Sequence, residues 1–163
     1  MPTSHARPRS FTGTLAGGLV ASSVILLANQ VAERLGVTEL DLPQVLGLSF
    51  LDSGQDGTKL AGSAWYFLTG GLVVPTLYWL GFRFLGMAGA RRGLALGLVH
   101  HLASALLLRV SEPECPKRRH GRGRPMGPLL SRYGRLEQAM NLLGHLGYGT
   151  LAGLTAARRG MRA

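Results

Sequence analysis

The chain has 163 residues and a mass of 17.4 kDa, room for one domain or one small bundle but not for a large catalytic domain with a regulator. Hydrophobic residues make up 46%, charged residues 16%, and 24 positions are glycine; an ordinary soluble domain carries roughly 25% charge, so the balance points to a membrane protein. The formal charge of +10 would suggest nucleic acid in a soluble chain, but here the basic residues lie at the ends of apolar stretches and in one connection, where lipid headgroups suit them and nucleic acid is not expected.

In chain order, four segments approach the roughly 20 residues that a helix needs to cross about 30 Å of hydrocarbon. The first is residues 11–32 (FTGTLAGGLVASSVILLANQVA). Arg7 and Arg9 before it resemble the opening of a secretory signal, with cleavage after Ala28 or Ala32 as one reading. No clean A-x-A site precedes a soluble domain and more apolar helices follow, so an uncleaved first span is the expectation. The run Leu42–Leu51 (LPQVLGLSFL) is too short to span and reads as re-entrant or interfacial. The second span is residues 61–84, in which Pro75 predicts a kink and frees a carbonyl for Thr76 or a water. Trp65, Tyr66, Tyr78 and Trp79 fall towards its ends, the place of aromatic belts. The third span is residues 93–110, after a tight basic turn with Arg83, Arg91 and Arg92. The connection 111–127, with KRRHGRGR from Lys117, has almost nothing to bury and is expected to be disordered. The fourth span is residues 136–157.

An offset near 79 residues lays GLVASSVILL, from Gly18, over GLVHHLASAL, from Gly97, and FLTGGLVVP, from Phe67, over HLGYGTLAG, from His145. A two-helix unit used twice is one reading; chance alignment of glycine-rich apolar segments is the other. With four spans the short turn and both termini share one side. Charge beside the first helix weighs most, so both termini are placed in the cytoplasm and Cys115 outside. As the one cysteine, Cys115 excludes an internal disulfide and any multi-cysteine metal site.

Polar residues in hydrocarbon are costly and mark candidate sites. Helical spacing puts Gly93, Gly97, His101 and Ser104 on one stripe of the third span, with His100 about 100° away among Leu96, Ala103 and Leu107. Gln138, Asn141, His145 and Tyr148 or Gly149 form a second stripe, and Gly18, Ser22, Asn29 and Glu33 a third. His101 and His145 lie at nearly matching depth, so they either hydrogen-bond across an interface or ligate a haem b or a metal ion. Asn29, Asn141 and Ser104 complete the expected polar interior. The pairs Gly13 with Gly17, Gly93 with Gly97, and Gly149 with Gly153 repeat the small-xxx-small spacing that lets helix backbones touch. No Glu-x-x-His pair, phosphate loop or Ser, His and Asp set occurs, so no enzyme machinery is expected.

The opening LAGGLVASSVILL, the FLTGG of the second span and the HLGYGTLAGL of the last resemble the small four-helix bacterial integral membrane proteins grouped as domains of unknown function, over about residues 11–157. The resemblance implies an all-α four-transmembrane-helix bundle and carries no activity. The expected role is a structural or accessory protein of the bacterial inner membrane, forming a homo-oligomer or joining a larger membrane complex through its glycine faces. The alternatives are a haem-binding redox protein using His101 and His145, and a small transporter or channel.

Overall fold

Ser10 begins the first helix by accepting a hydrogen bond at Oγ from the Gly13 N–H at 3.0 Å, while its own N–H donates to the Ala156 carbonyl at 3.3 Å. The computed structural model describes residues 10–51, 57–111 and 127–158, and among these every regular element is helical. Helix α1 is Phe11–Arg34, α2 is Leu42–Gly47, α3 is Thr58–Phe84, α4 is Ala90–Ser111 and α5 is Arg135–Arg158. Of these, α1 and α3 are long and apolar enough to cross a membrane. Glycines and histidines dilute α4 and α5, which match the third and fourth expected spans in position; α4 begins three residues earlier and ends one later, and α5 exceeds its span by one residue at each end. Arg7, Arg9, Cys115 and the KRRHGRGR run lie outside the described residues, and with them most of the expected disordered connection.

α5 is the central helix. It packs antiparallel against α4 on one side and α1 on the other, and α3 lies antiparallel beside α1, reaching α5 and α4 as well through Gly70 and Tyr78. The start of α1, the end of α3, the start of α4 and the end of α5 therefore share one end of the bundle. The helix α2 and the residues around 127–133 lie at the other. α3 approaches α4 mainly where Gly81 faces Leu96 and Tyr78 faces His100, a smaller meeting than that of α1 with α5.

Gly36, at φ +67°, ends α1 in the left-handed conformation that glycine adopts without cost. The chain then turns through Thr38, whose hydroxyl donates to Glu137 Oε1 at 3.0 Å and ties this loop to the first turn of α5. Asp41 caps α2 by accepting from the Gln44 N–H at 3.0 Å, and also pairs with Lys59. The six-residue α2 packs through Gly47 and Gly62 directly onto the backbone of the first turns of α3, so the short apolar run is a lateral element beside the bundle. A small second core joins Leu40 and Val45 to Leu130 and Tyr133. Leu130 holds a left-handed φ of 56°, worth roughly 1–2 kcal/mol of strain, and its burial to 4% exposure offsets that cost.

On α1 and α4 side chains are distributed by size, while α3 and α5 also bury Tyr78, Phe82 and Tyr148. Towards its neighbours α1 presents Gly13, Thr14, Gly17, Gly18, Ala21 and Ser22, all buried. Outwards it presents Leu19, Val20, Val24, Leu27 and Val31. Likewise α4 buries Gly93, Gly97 and His101 and exposes Leu94, Leu98, Val99, Leu102, Leu106 and Leu107.

Candidate functional site

Four helices bring polar side chains together at one level of the bundle. His100 and His101 come from α4, His145 and Tyr148 from α5, Tyr78 and the Gly70 carbonyl from α3, and Gly18 of α1 closes the group against Tyr148. The His101 and His145 rings are 5.2 Å apart, and His100 and His145 are 4.6 Å apart, both edge to face. Tyr78 stacks edge to face on Tyr148 at 5.5 Å and on His100 at 5.9 Å.

Hydrogen bonding fixes one tautomer. His145 Nδ1 lies 2.8 Å from the Asn141 carbonyl, which can only accept, so Nδ1 carries the proton. In the neutral ring Nε2 is then a bare lone pair, and the Ser104 hydroxyl donates to it at 3.3 Å. The Tyr78 hydroxyl and His100 Nδ1 make a longer contact at 3.4 Å. His101 differs: its Nδ1 is buried and has no hydrogen-bond partner among the described residues.

The expected residues thus divide. His101, His145, Ser104 and, through its carbonyl, Asn141 come together. Asn29 does not: it is buried at the other end of α1, where its Oδ1 accepts from the Leu42 N–H at 3.4 Å and helps to hold the start of α2. Between Asn29 and the histidines, Ile25 packs on Gly144, so the polar residues form no continuous row along the interior. His100, expected at a helix interface or near lipid, belongs to the cluster and touches His145 more closely than His101 does. Its face of α4 is covered by Tyr78 of α3, a neighbour that periodicity within α4 could not announce. Tyr66 and Tyr78 also depart from the expected belts: Tyr78 is 4% exposed, inside the bundle. Trp79 does stay near its helix end, against Phe11 at 5.2 Å and beneath the Arg83 guanidinium at 5.1 Å.

All six stripe glycines sit at backbone contacts within the chain. A Cβ on Gly13 or Gly17 would strike Thr155, and one on Gly97 would lie 2.5 Å from the His145 carbonyl. Gly93, Gly149 and Gly153 meet one another across α4 and α5 or reach the Gly89 carbonyl. These faces are taken up internally, so the expected association with other proteins would have to use another surface.

Pro75 does free a carbonyl, and the side chain that donates to it is not Thr76. Residues Thr69–Val73 form a π-turn, in which the Val74 N–H donates to the Thr69 carbonyl, five residues back. The next donor in that register would serve Gly70, and it is the missing N–H of Pro75. Tyr148 Oη donates to the Gly70 carbonyl instead. Thr76 Oγ1 turns back to the Leu72 carbonyl at 2.7 Å.

Comparison with protein-family models, with curated proteins and with solved structures finds no match to this chain. Function therefore has to be argued from the side chains. A haem held between His101 and His145 needs both ligating nitrogens aimed at an iron from opposite faces of a macrocycle. Here the rings meet edge to face, and the helices carrying them touch through backbone at Gly93, Gly97 and Gly149, so no slot for a macrocycle exists between them. Among the described residues no three His, Cys, Asp or Glu side chains form a group able to hold a metal ion. The arrangement performs interhelical hydrogen bonding and ring packing.

Proposed function

We propose that the protein is a four-pass integral membrane protein of structural or accessory kind, in which α1, α3, α4 and α5 cross the bilayer and α2 lies at one interface. The supporting observation is the inverted distribution of side chains: small residues inside, Leu and Val outside. Lipid tails are as apolar as Leu, so helices in a membrane gain nothing by burying large aliphatics and associate through small residues and polar contacts. In water the outward Leu and Val of α1 and α4, each about half exposed, would forgo about 1 kcal/mol of burial apiece, together comparable to the roughly 5–15 kcal/mol by which a domain is ordinarily stable. The proposed home is the bacterial inner membrane, in keeping with the resemblance to small four-helix proteins of that membrane. Any homo-oligomer or larger complex would use a surface other than the six stripe glycines, which are taken up inside the chain.

Two measurements check this reading. The protein should stay with the membrane pellet in alkaline carbonate and leave it only with detergent; recovery in the carbonate supernatant would refute the spans. Orientation is read separately with a membrane-impermeant maleimide on intact cells whose outer membrane is permeable. Cys115 is expected to react without opening the inner membrane, placing the ends of the bundle near Ser10 and Ala156 in the cytoplasm. Reaction only after the inner membrane is opened would invert the topology.

A further inference from the structure

We infer that α3 is built to bend at its Thr69–Val73 turn, and that the Tyr148 hydroxyl is the latch that holds the turn in its present shape. Three observations carry this. First, the backbone of the turn lacks the bond that would close it, because Pro75 offers no N–H to the Gly70 carbonyl, and Tyr148 from another helix provides the substitute. Second, the two halves of α3 are tied to different neighbours. The first half is fixed chiefly to α2, with Gly62 on the Pro43 carbonyl and Lys59 paired to Asp41, and meets the far end of α1 through the longer Lys59–Glu33 pair at 3.9 Å. The second half is fixed to α1 and α5, with Pro75 against Gly18, Trp79 against Phe11 and Tyr78 against Tyr148.

Third, the turn carries Gly70 and Gly71, which have no side chains to interlock; they lie against Ser22 and Leu19 of α1 where a Cβ would not fit. The hydroxyls of Thr69 and Thr76 bond to Trp65, Tyr66 and Leu72 carbonyls on their own helix and so leave the bending point free of further ties to neighbours. When Tyr148 releases Gly70, the first half of α3, with α2 fixed to it, tilts relative to α1 about the Asn29–Leu42 and Lys59–Glu33 contacts at its far end. The same Tyr148 ring lies 5.9 Å from His100 and 5.5 Å from Tyr78. The polar cluster and the bend are thereby mechanically joined through one residue.

The test is a double-mutant cycle on the full chain in detergent micelles, read by amide exchange at residues 71–74 and by the distance between spin labels at Leu60→Cys and Phe84→Cys in a Cys115→Ser background. Both label sites are exposed, at 74% and 89%. Tyr148→Phe keeps the ring and removes the latch. It should speed exchange at the turn about five- to tenfold, the size of one net hydrogen bond, and widen the distance distribution. Pro75→Ala restores an N–H that can serve Gly70, so in that background Tyr148→Phe should change exchange by less than about twofold. An unchanged turn in Tyr148→Phe, or an equal effect in both backgrounds, overturns the latch. Should Tyr148→Phe fail to fold, Pro75→Ala alone decides: it must narrow the distance distribution, and an unaltered one overturns the bend.

Discussion

Gly149→Leu is expected to cost about 3 kcal/mol or more and to separate α4 from α5, the most extensive helix pair in the bundle. A Cβ at Gly149 would run into the Gly93 carbonyl and lie 2.9 Å from Gly97 Cα, and backbone atoms of two packed helices cannot step aside as a side-chain tip can. The helices must move apart, losing the close backbone contact that holds them together. Gly147→Ala, two residues away on the same helix, is the internal control: a Cβ there meets nothing within 4 Å. It should be neutral or slightly stabilising, since alanine is the better helix former by up to about 1 kcal/mol. Leu98→Val, at a side chain 45% exposed on the outward face of α4, should be nearly silent. Unfolding in mixed micelles by a denaturing detergent measures all three. Equal stability of Gly149→Leu and Gly147→Ala would mean that α4 and α5 do not meet through this face.

The glycine stripes were readable because their spacing is local: residues four apart lie on one face of a helix whatever that helix packs against. The limits of the four long helices were readable to within three residues because the apolar runs themselves bound them. What sequence could not place were features that depend on a third helix. His100 could be placed only at a helix interface or near lipid because α4 alone supplies Leu96, Ala103 and Leu107 around it, and the neighbour that decides between the two is Tyr78 of α3. The aromatic pairs fail for a geometric reason. Consecutive helix residues point about 100° apart, so Trp65 with Tyr66, and Tyr78 with Trp79, cannot all share a belt, and in each pair the tyrosine turns inward while tryptophan stays out. Pro75 marked a break correctly, but the five-residue register that selects Gly70 as its orphan, and Tyr148 as the donor, arises only once α5 is in place.

The histidines give the remaining large contrast, and hydrogen bonding sets its direction. His145→Leu removes a ring whose two nitrogens are both engaged, leaving the Ser104 hydroxyl without its acceptor in the interior of the bundle. Lost interhelical bonds of this kind cost about 0.6–1.7 kcal/mol in membranes, and the stranded hydroxyl adds to that, so a loss of about 1–2 kcal/mol is expected. His101→Leu should cost under about 0.5 kcal/mol or stabilise slightly. It replaces a buried nitrogen that has no partner with an aliphatic group of similar bulk, and so lifts a desolvation penalty. His100→Leu falls between them, because it gives up only the long contact to Tyr78. The His101, His145 double substitution should then match His145→Leu alone. The order His145, His100, His101 can be read from unfolding midpoints, with the helical circular dichroism of each variant confirming that it folds. A loss above about 1.5 kcal/mol for His101→Leu would contradict the order, since a side chain with an idle nitrogen has nothing of that size to lose; it would show that His101 Nδ1 holds a water or an ion in the folded protein.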